Sequence, residues 1–371
     1  MERGSLTQGA HFRAPIVNEN VEMMMKSRLI VFCLSAVISL ALPCCAQTHY
    51  QPIDLGVLPG GSYSAAFGVN DQSHVTGSGG ISGANPIHGF LWEKNTGMKD
   101  LGTLGGNNSY PEGINDANQI VGQADVSSSV SDAFLWINGT MMDIGSLGAQ
   151  GSVANAINFD PLTMTYTQIA GWSPTSDNST VHAVIWNASL QITDLGTLGG
   201  ASSFGWANNC AGQVVGKADT SSAQTHAFLW GSGIGMVDLG TLGGSSSQAR
   251  GINCSGTIVG YSYLAGDIQM DAFVYGPNTG MKDIGNLGGS VSTATAINKA
   301  GRVVGFSNTP GDADSHAFVW TATGGLQDLN KLIPPHSGWD LQVAESISDN
   351  GRIVGEGTIN GAGHAFLLLP K

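Results

Sequence analysis

Charged residues are scarce in this chain of 371 residues, because Asp, Glu, Lys and Arg together make up only 11% of it. A typical soluble domain carries about 25%. The positive charges are the scarcer ones, with 14 Lys and Arg against 27 Asp and Glu and a formal net charge of -13. No cluster of Lys and Arg follows residue 46. With so little positive charge to neutralise phosphates, we expect neither nucleic acid nor an anionic membrane surface as a partner.

Long apolar runs are also missing. The longest mostly apolar run is Leu29–Leu42, which is too short to span a membrane. Lys26 and Arg28 precede it and a small-residue cleavage site after Ala46 follows it, which is typical of a secretory signal. The sequence therefore predicts a non-native N-terminal extension at 1–22, a signal peptide at 23–46, and a mature protein at 47–371 that is secreted to the exterior, the periplasm or the cell surface.

Cysteines are few in the predicted mature chain, where only Cys210 and Cys254 remain. They stand directly after Asn209 and Asn253, at equivalent positions of neighbouring repeats. An oxidising compartment would permit a disulfide, but equivalent turns of adjacent repeats usually lie farther apart than the ~5.5 Å Cα spacing that a bridge needs. We therefore expect two free thiols.

Glycine is abundant, with 54 residues, and much of it belongs to a repeat. An Asp, a Leu or Ile and a Gly precede a glycine-rich turn about every 45 residues, with Asn330 at the Gly position of the last copy. The copies start at Asp54, Asp100, Asp143, Asp194, Asp238, Asp283 and Asp328. Self-similarity at this period indicates a radially repeated β architecture.

One repeat, residues 100–145, contains four short β-prone runs separated by Gly, Asn, Asp and Ser. Two of these runs are Gln119–Gln123 and Ala133–Trp136. This spacing is typical of a four-stranded antiparallel blade. Both alternating faces of the Phe-Leu-Trp run are apolar, which indicates a strand that is covered on both sides.

The two ends of the chain look like halves of one repeat. Asp54 has no Phe-Leu-Trp strand before it, and the final strand at 364–368 has no Asp-Leu-Gly after it. Pairing of 50–56 with 364–369 would complete the repeat and leave no exposed edge. We therefore predict an all-β fold, a seven-bladed β-propeller of four-stranded antiparallel blades closed by pairing of the N- and C-terminal strands. A linear solenoid is the alternative, although it would favour polar caps instead.

The repeats also resemble a known family. His-Ala-Phe-Leu/Val-Trp stands at 226–230 and 316–320, with variants at 88–92, 182–186 and 364–368, and Asp-Leu-Gly-Thr-Leu-Gly-Gly stands at 100–106, 194–200 and 238–244. With these motifs the chain resembles the bacterial extracellular HAF-repeat proteins over residues 50–371. Asp132 and Asp271 depart from the pattern by replacing the motif His. The resemblance implies secretion and a repeat fold, and it implies no substrate or catalytic residue.

The repeated polar residues favour structural roles. The motif histidines could suggest a metal, but one His from each separate sheet does not supply three or four convergent ligands. We expect these histidines to tie the start of a strand to a nearby turn. The repeated aspartates precede glycine-rich turns, where an Asp side chain accepts turn N–H groups. We predict no metal, no cofactor and no catalytic residue.

One position varies between the repeats, three residues before each repeated Asn or its equivalent. It lies in a strand of small residues, so a large side chain there fits a crowded inner strand facing a central channel. This position is occupied by Phe67, Glu112, Asn155, Trp206, Arg250, Thr295 and Glu345. We take Glu112, Trp206, Arg250 and Glu345 as candidate ligand-binding residues; filling of channel volume or ion pairing among them is the structural alternative.

The loops between the second and third strands are the variable ones, and they should all lie on one face of the ring. They are rich in Asp, Ser, Thr and Gly and comprise residues 124–131, 173–181, 218–225, 261–270 and 307–315. Loops on a rigid scaffold commonly carry function. We predict a secreted, monomeric, non-enzymatic binding module that meets an extracellular glycan or protein on this face. The alternatives are a glycan lyase or glycosidase with Glu112 and Glu345 as its carboxylate pair, and a purely structural surface protein.

Overall fold

The computed structural model describes residues 48–82, 85–148 and 151–371, so the predicted extension and signal peptide lie outside the described residues. Two short 3-10 turns occur, at Pro310–Asp312 and Leu329–Lys331. All other regular structure in the described ranges is β-strand. The strands are β1 Tyr50–Asp54, β2 Ser64–Val69, β3 Val75–Gly80, β4 Ile87–Glu93, β5 Gly97–Asp100, β6 Ser109–Ile114, β7 Ile120–Asp125, β8 Ser131–Ile137, β9 Thr140–Asp143, β10 Val153–Ile157, β11 Gln168–Pro174, β12 Val181–Asn187, β13 Ile192–Asp194, β14 Gly199–Asn208, β15 Val214–Thr220, β16 Thr225–Gly231, β17 Gly235–Asp238, β18 Gly243–Ile252, β19 Ile258–Leu264, β20 Met270–Gly276, β21 Gly280–Asp283, β22 Ser292–Ile297, β23 Val303–Asn308, β24 Ser315–Thr321, β25 Gly325–Asp328, β26 Trp339–Ile347, β27 Ile353–Ile359 and β28 Ala362–Pro370.

Consecutive strands pair antiparallel within each repeat, as the turn residues between them predict. The first strands of the repeats, here called the inner strands, are β2, β6, β10, β14, β18, β22 and β26. Each inner strand contacts the inner strands of the repeats before and after it, and β26 contacts β2, so the inner strands form a ring. The described structure is therefore a β-propeller whose inner strands surround a central axis.

The prediction of seven separate blades is wrong. Five four-stranded sheets stand alone, namely β2–β5, β6–β9, β10–β13, β22–β25, and β26–β28 together with β1. Strands β14–β21 instead belong to one eight-stranded sheet, in which the parallel bridge between Thr225 and Ser246 joins β16 to β18. Both β14 and β18 begin early, at the glycine-rich turn, and this extension brings β18 beside β16, the third strand of the preceding repeat. The all-β, antiparallel propeller part of the prediction agrees with the structure.

The ends of the chain pair with each other. Strand β1 runs antiparallel to β28, with Tyr50 opposite Pro370 and Asp54 opposite Phe366. The Leu55 amide extends this pairing by donating to the Ala365 carbonyl oxygen at 3.1 Å. The shared sheet that the divided repeat predicted is therefore present, and β1 covers what would otherwise be a free edge of β28.

The core lies between adjacent sheets and is built from the motif phenylalanines. Phe90, Phe134, Phe228, Phe273, Phe318 and Phe366 are all fully buried. Each faces a glycine of the neighbouring second strand, and Gly122 shows why. A Cβ there would lie 2.9 Å from Phe134 Cε1 and closer still to the Tyr110 carbonyl oxygen. Only glycine lets the ring and the inner strand approach this closely.

No helix in the described ranges is both long enough and apolar enough for a membrane crossing.

Candidate functional site

Each inner strand carries a β-bulge at the variable position. In β6, Pro111 is opposite Gly122 and Gly113 is opposite Val121, so Glu112 has no partner across the ladder. The same shift skips Phe67, Asn155, Trp206, Arg250, Thr295 and Glu345 in the other inner strands. A bulge bends the strand and redirects the extra side chain. The sequence identified these positions from their variability, and it could not show that each one is a bulge.

The bulged side chains converge. All seven line one cavity of about 140 Å³ on the axis, so the structure brings Glu112, Trp206, Arg250 and Glu345 together. The cavity continues into a section of about 220 Å³, which Val69, Ile114 and Ile347 help to line. These three residues also line a recess of about 280 Å³ at the face that carries the tight turns. The cavity is therefore continuous with an opening on the tight-turn face.

Two of the bulged side chains are used by the scaffold. Asn155 Nδ2 donates to the Gly205 carbonyl oxygen at 2.6 Å. Thr295 Oγ1 lies 2.6 Å from the Ala344 carbonyl oxygen, to which it donates. Both hydrogen bonds join one inner strand to the next, so these two side chains stabilise the ring and already have their hydrogen-bond partners.

Trp206 and Arg250 form a fixed pair on one wall of the cavity. The guanidinium carbon of Arg250 lies 5.0 Å from the centroid of the Trp206 ring, a cation–π arrangement. Buried Gln248 holds both residues, since in the orientation that satisfies its neighbours its amide oxygen accepts from Trp206 Nε1 and Arg250 Nε, each at 2.9 Å. Its amide nitrogen then donates to Tyr261 Oη at 3.0 Å. No sequence pattern indicated this role for Gln248.

Glu112 and Glu345 are the unsatisfied groups of the cavity. No donor among the described residues hydrogen-bonds to either carboxyl, and Arg250 does not come within the 4.0 Å range of an ion pair. The pKa of Glu112 is raised to about 7, mainly by burial and then by the charge of Glu345, against a lowering by Arg250. The pKa of Glu345 is raised to about 7, mainly by burial, with Arg250 lowering it and Glu356 raising it.

These two carboxyls keep some accessible surface although protein atoms crowd around them. Both observations hold because the carboxyls face a narrow cavity, which admits small molecules but offers little bulk water to solvate a charge. Burial therefore disfavours the charged form of each carboxyl until a ligand that pairs with it enters the cavity.

The motif histidines have the structural role that the sequence predicted. His88, His182 and His226 lie with Nδ1 at 2.8 Å from the carboxylates of Asp100, Asp194 and Asp238, respectively. In turn, each of these aspartates accepts from a turn amide, as Gly102 N does to Asp100 Oδ1 at 2.7 Å. Each histidine therefore ties its strand to its own turn. In the described ranges no three His, Cys, Asp or Glu side chains are grouped for a metal ion.

The repeated asparagines form a chain of hydrogen bonds that the sequence did not reveal. Asn209 Nδ2 donates to the Asn253 carbonyl oxygen at 3.1 Å, and Asn253 Nδ2 donates to the Asn298 carbonyl oxygen at 3.1 Å. Asn70 and Asn115 make the same kind of contact to the following repeat. These bonds link successive tight turns around the opening of the cavity.

The expectation of two free thiols is wrong. Cys210 and Cys254 form a disulfide with their Cα atoms 5.4 Å apart. The tight turns that carry them lie at the inner edge of the ring, where neighbouring repeats converge, so equivalent positions come much closer than they would at the rim. The bridge and Phe159 line a recess of about 550 Å³ on the tight-turn face.

The variable-loop face offers a smaller feature. Thr175, Asp177 and the His182–Asp194 pair line a groove of about 400 Å³ beside the loop at 173–181. Asp177 is exposed, and hydrogen bonds from Thr175 and Ser179 lower its pKa to about 2. The sequence favoured this face for binding, but the structure places the larger recess and the opening of the axial cavity on the opposite face.

No protein-family model and no curated protein matches this chain. Solved structures match at the level of the fold. The chain is similar to the propeller domain of the Trilobed protease of Pyrococcus furiosus, with 11% identity over 83% of this chain and 96% of that chain and a TM-score of 0.56. That propeller has an open Velcro topology, whereas β1 and β28 pair here.

Two further structures show the same similarity. The extracellular domain of a one-component system of B. thetaiotaomicron matches with 11% identity, 85% of this chain, 39% of that chain and a TM-score of 0.51. TolB of Acinetobacter baumannii matches with 13% identity, 85% of this chain, 65% of that chain and a TM-score of 0.44. The chain thus spans less than two thirds of these two proteins. At such identities the two matches with TM-scores above 0.5 show the β-propeller fold alone.

Proposed function

We propose that this protein is a secreted, non-enzymatic binding module whose axial cavity holds a small polar group. That group is a free molecule or the end of an extracellular glycan or protein. One observation carries the proposal: the side chains that differ between the repeats are the ones that bulges direct into a single cavity. A repeat that only fills space has no need for charged residues such as Glu112, Arg250 and Glu345 at its bulges.

The energetics of the cavity support the same proposal. A buried carboxyl without a partner destabilises the fold, and such groups persist mainly where function requires them. Glu112 and Glu345 are of this kind, and Arg250 is held on Trp206 instead of pairing with them. A preformed cavity with a few fixed polar groups is the usual form of a small-ligand site.

Secretion and the HAF-repeat assignment belong to the proposal as well. They are supported by the signal-like sequence at 23–46 and by the His-Ala-Phe motifs. The Cys210–Cys254 disulfide fits an oxidising compartment, because such bridges are rare in the cytosol.

The test is a glycan array with the mature chain, 47–371, followed by calorimetric titration of any hit. We expect Trp206→Ala and Arg250→Ala to abolish binding. A variant with the rim loop between β19 and β20 shortened within residues 265–269 serves as the matched control and should bind as the wild type does, because Tyr261, which contacts Gln248, is retained. Binding that survives both cavity substitutions and is lost in the loop variant would contradict the axial site.

The carbohydrate-active alternative has one observation in its favour, since Glu112 and Glu345 share a cavity. A glycosidase needs one protonated and one ionised carboxyl, which their surroundings must separate in pKa. Here burial raises the pKa of both residues to about 7. These values do not assign one carboxyl as the acid and the other as the base, so binding remains the proposal. Hydrolysis or elimination of an array glycan that Glu112→Gln abolishes would reverse this preference, and a protein that binds nothing would favour the purely structural alternative.

A further inference from the structure

The axial cavity contains unpaired groups of both charges. Glu112 and Glu345 extend from β6 and β26, the two inner strands on either side of β2, so they flank Phe67. Arg250 comes from β18 on another part of the wall. Its Nε is engaged with Gln248, and its Nη atoms have no acceptor among the described residues. The cavity thus offers a cationic donor and two carboxyls that do not pair with each other.

Arg250 is held in place and does not form an ion pair with Glu112 or Glu345. The Trp206 ring lies 5.0 Å from its guanidinium carbon, and the Gln248 oxygen holds its Nε at 2.9 Å. A free arginine side chain would swing to the nearest carboxylate and form a bidentate pair. Because this one is fixed, the space between it and the glutamates suits a ligand that carries both charges itself.

The opening of the cavity is acidic on the side of the glutamates. Asp71, Asp116 and Asp349 follow the ends of β2, β6 and β26 and line the recess at the tight-turn face; we call them the acidic mouth. Backbone amides fix each one, since Asp116 accepts from Asp71 N at 2.9 Å and Asp71 accepts from Asn350 N at 3.1 Å. Asp349 accepts from Lys299 N at 2.8 Å.

The carboxyls of the mouth and the cavity therefore form a stripe on three neighbouring inner strands. Fixed charge of one sign along a narrow opening concentrates ions of the other sign. A cation at the tight-turn face meets the acidic mouth first and the pair Glu112 and Glu345 behind it. An anionic group meets Lys299 at the rim of this face, beside Asp116 and Asp349, and its first unpaired donor inside the cavity is Arg250.

Resting on the function proposed above, we propose that the ligand of the axial cavity is an α-amino acid with a cationic side chain. Its carboxylate binds the free Nη atoms of Arg250, its α-ammonium lies between Glu112 and Glu345, and its side-chain cation points to the acidic mouth. Arginine suits the first contact because its planar fork matches a carboxylate. The narrow part of the cavity, about 140 Å³, is smaller than the pockets that hold drug-sized ligands and fits a molecule of this class.

The test compares L-lysine with cadaverine, which is lysine without its carboxylate, by calorimetric titration of the mature chain at pH 8. We expect L-lysine to bind about tenfold more tightly or better, since a bidentate carboxylate contact contributes at least this factor. Arg250→Gln should remove the difference between the two ligands. Glu112→Gln and Glu345→Gln should each weaken both ligands. Arg302→Gln, at an arginine that does not line the cavity, is the matched control and should change neither affinity.

Three results would overturn this inference. Equal affinity for L-lysine and cadaverine, or an Arg250→Gln variant that still distinguishes them, removes the carboxylate contact. No binding of L-lysine by wild type with a native thermal transition removes the ligand class. A neutral glycan that binds in a Trp206-dependent way while L-lysine does not also removes it, but that result leaves the axial binding site proposed above intact.

Discussion

His364 Nδ1 lies 2.8 Å from Asp54 Oδ1, although 310 residues separate them in the chain. The same contact joins His88 to Asp100, which are 12 residues apart within one repeat. The junction of the two termini therefore uses the chemistry of an ordinary repeat, and the Asp54 carboxylate also accepts from Gly56 N at 2.8 Å. Closure of the ring thus depends on a local motif that the chain completes only when it folds.

Asp54→Ala should lower the free energy of unfolding by about 1–2 kcal/mol, because it removes the histidine contact and the turn acceptor from a partly exposed pair. Asp100→Ala is the matched control within one repeat and should cost about the same. Urea unfolding of both variants measures this. A cost near zero for Asp54→Ala, with a clear cost for Asp100→Ala, would show that the terminal pair does not hold the ends together.

Asp132→His should stabilise the protein by about 1 kcal/mol at pH 7 by restoring the His–Asp pair of the other repeats. Asp132 stands at the motif histidine position, its Oδ1 is buried without a partner, and its pKa is raised by burial and then by the charge of Asp143. A raised carboxyl pKa means that stability falls as pH rises through its range. The gain should therefore be larger at pH 7 than at pH 4.

The matched control for this substitution is Asp271→His. Asp271 already accepts from Gln269 Nε2 at 2.8 Å and from Asn286 Nδ2 at 2.9 Å, so a histidine there loses two hydrogen bonds. Thermal unfolding of the two variants should move in opposite directions. Destabilisation by Asp132→His at pH 7 would contradict the assigned pairing.

Replacing Cys210 and Cys254 together by serine should lower stability by about 2–4 kcal/mol, because the bridge spans 44 residues of sequence and restricts the unfolded chain. Dithiothreitol should lower the melting temperature of the wild type and leave the double variant unchanged. Thiol titration of the unfolded, unreduced protein should find no free thiol at these positions. Detection of two thiols would remove the bridge.

The glutamates of the cavity should make the stability of the unliganded protein depend on pH. Burial raises the pKa of Glu112 and Glu345 from 4.5 to about 7. The free energy of unfolding is therefore highest below pH 4.5, where both carboxyls are protonated in the folded and the unfolded chain, and it falls as the pH rises through 7. Arg250 opposes this shift for both residues, while Glu356 adds to it at Glu345. In the Glu112→Gln, Glu345→Gln double variant the fall between pH 5 and pH 8 should be much smaller.

Chemical denaturation at pH 5, 6, 7 and 8 measures this dependence. The single variant Glu345→Gln should move the midpoint of the remaining fall to lower pH, because it removes the like charge that raises the pKa of Glu112. Parallel stability profiles for wild type and the double variant would show that other groups carry the pH dependence.

Much of the fold could be predicted from the sequence because the residues that define the strands, the turns and the covered faces lie within one repeat. Gly and Asn at the turns and apolar faces on the third strands are constraints between near neighbours, whereas the glycine opposite each motif phenylalanine became visible only in the structure. The roles of His88 and Asp100 followed in the same way, since their contact lies within one repeat. Even the cavity residues could be identified, because variability at a fixed distance from the repeated Asn marked them.

The wrong predictions concerned contacts between residues of different repeats. The disulfide depended on how closely adjacent tight turns converge near the axis, and the parallel bridge from Thr225 to Ser246 depended on how far one strand reaches beside its neighbour. The preference for the variable-loop face stays a prediction, since it was based on loop composition, which contains no information on where the axial cavity opens. None of these quantities is a property of a single repeat.

The sequence by itself determined the repeat, its strands and turns, and the pairing of its two ends, because hydrogen-bonding and packing rules within some 45 residues suffice for them. Only the tertiary structure decided that each variable residue sits on a bulge, that Gln248 and Trp206 hold Arg250 away from Glu112 and Glu345, and that these charges stay unpaired around one cavity. The physical reason is that convergence on an axis is set by the closed ring as a whole, which brings together residues that no local rule connects.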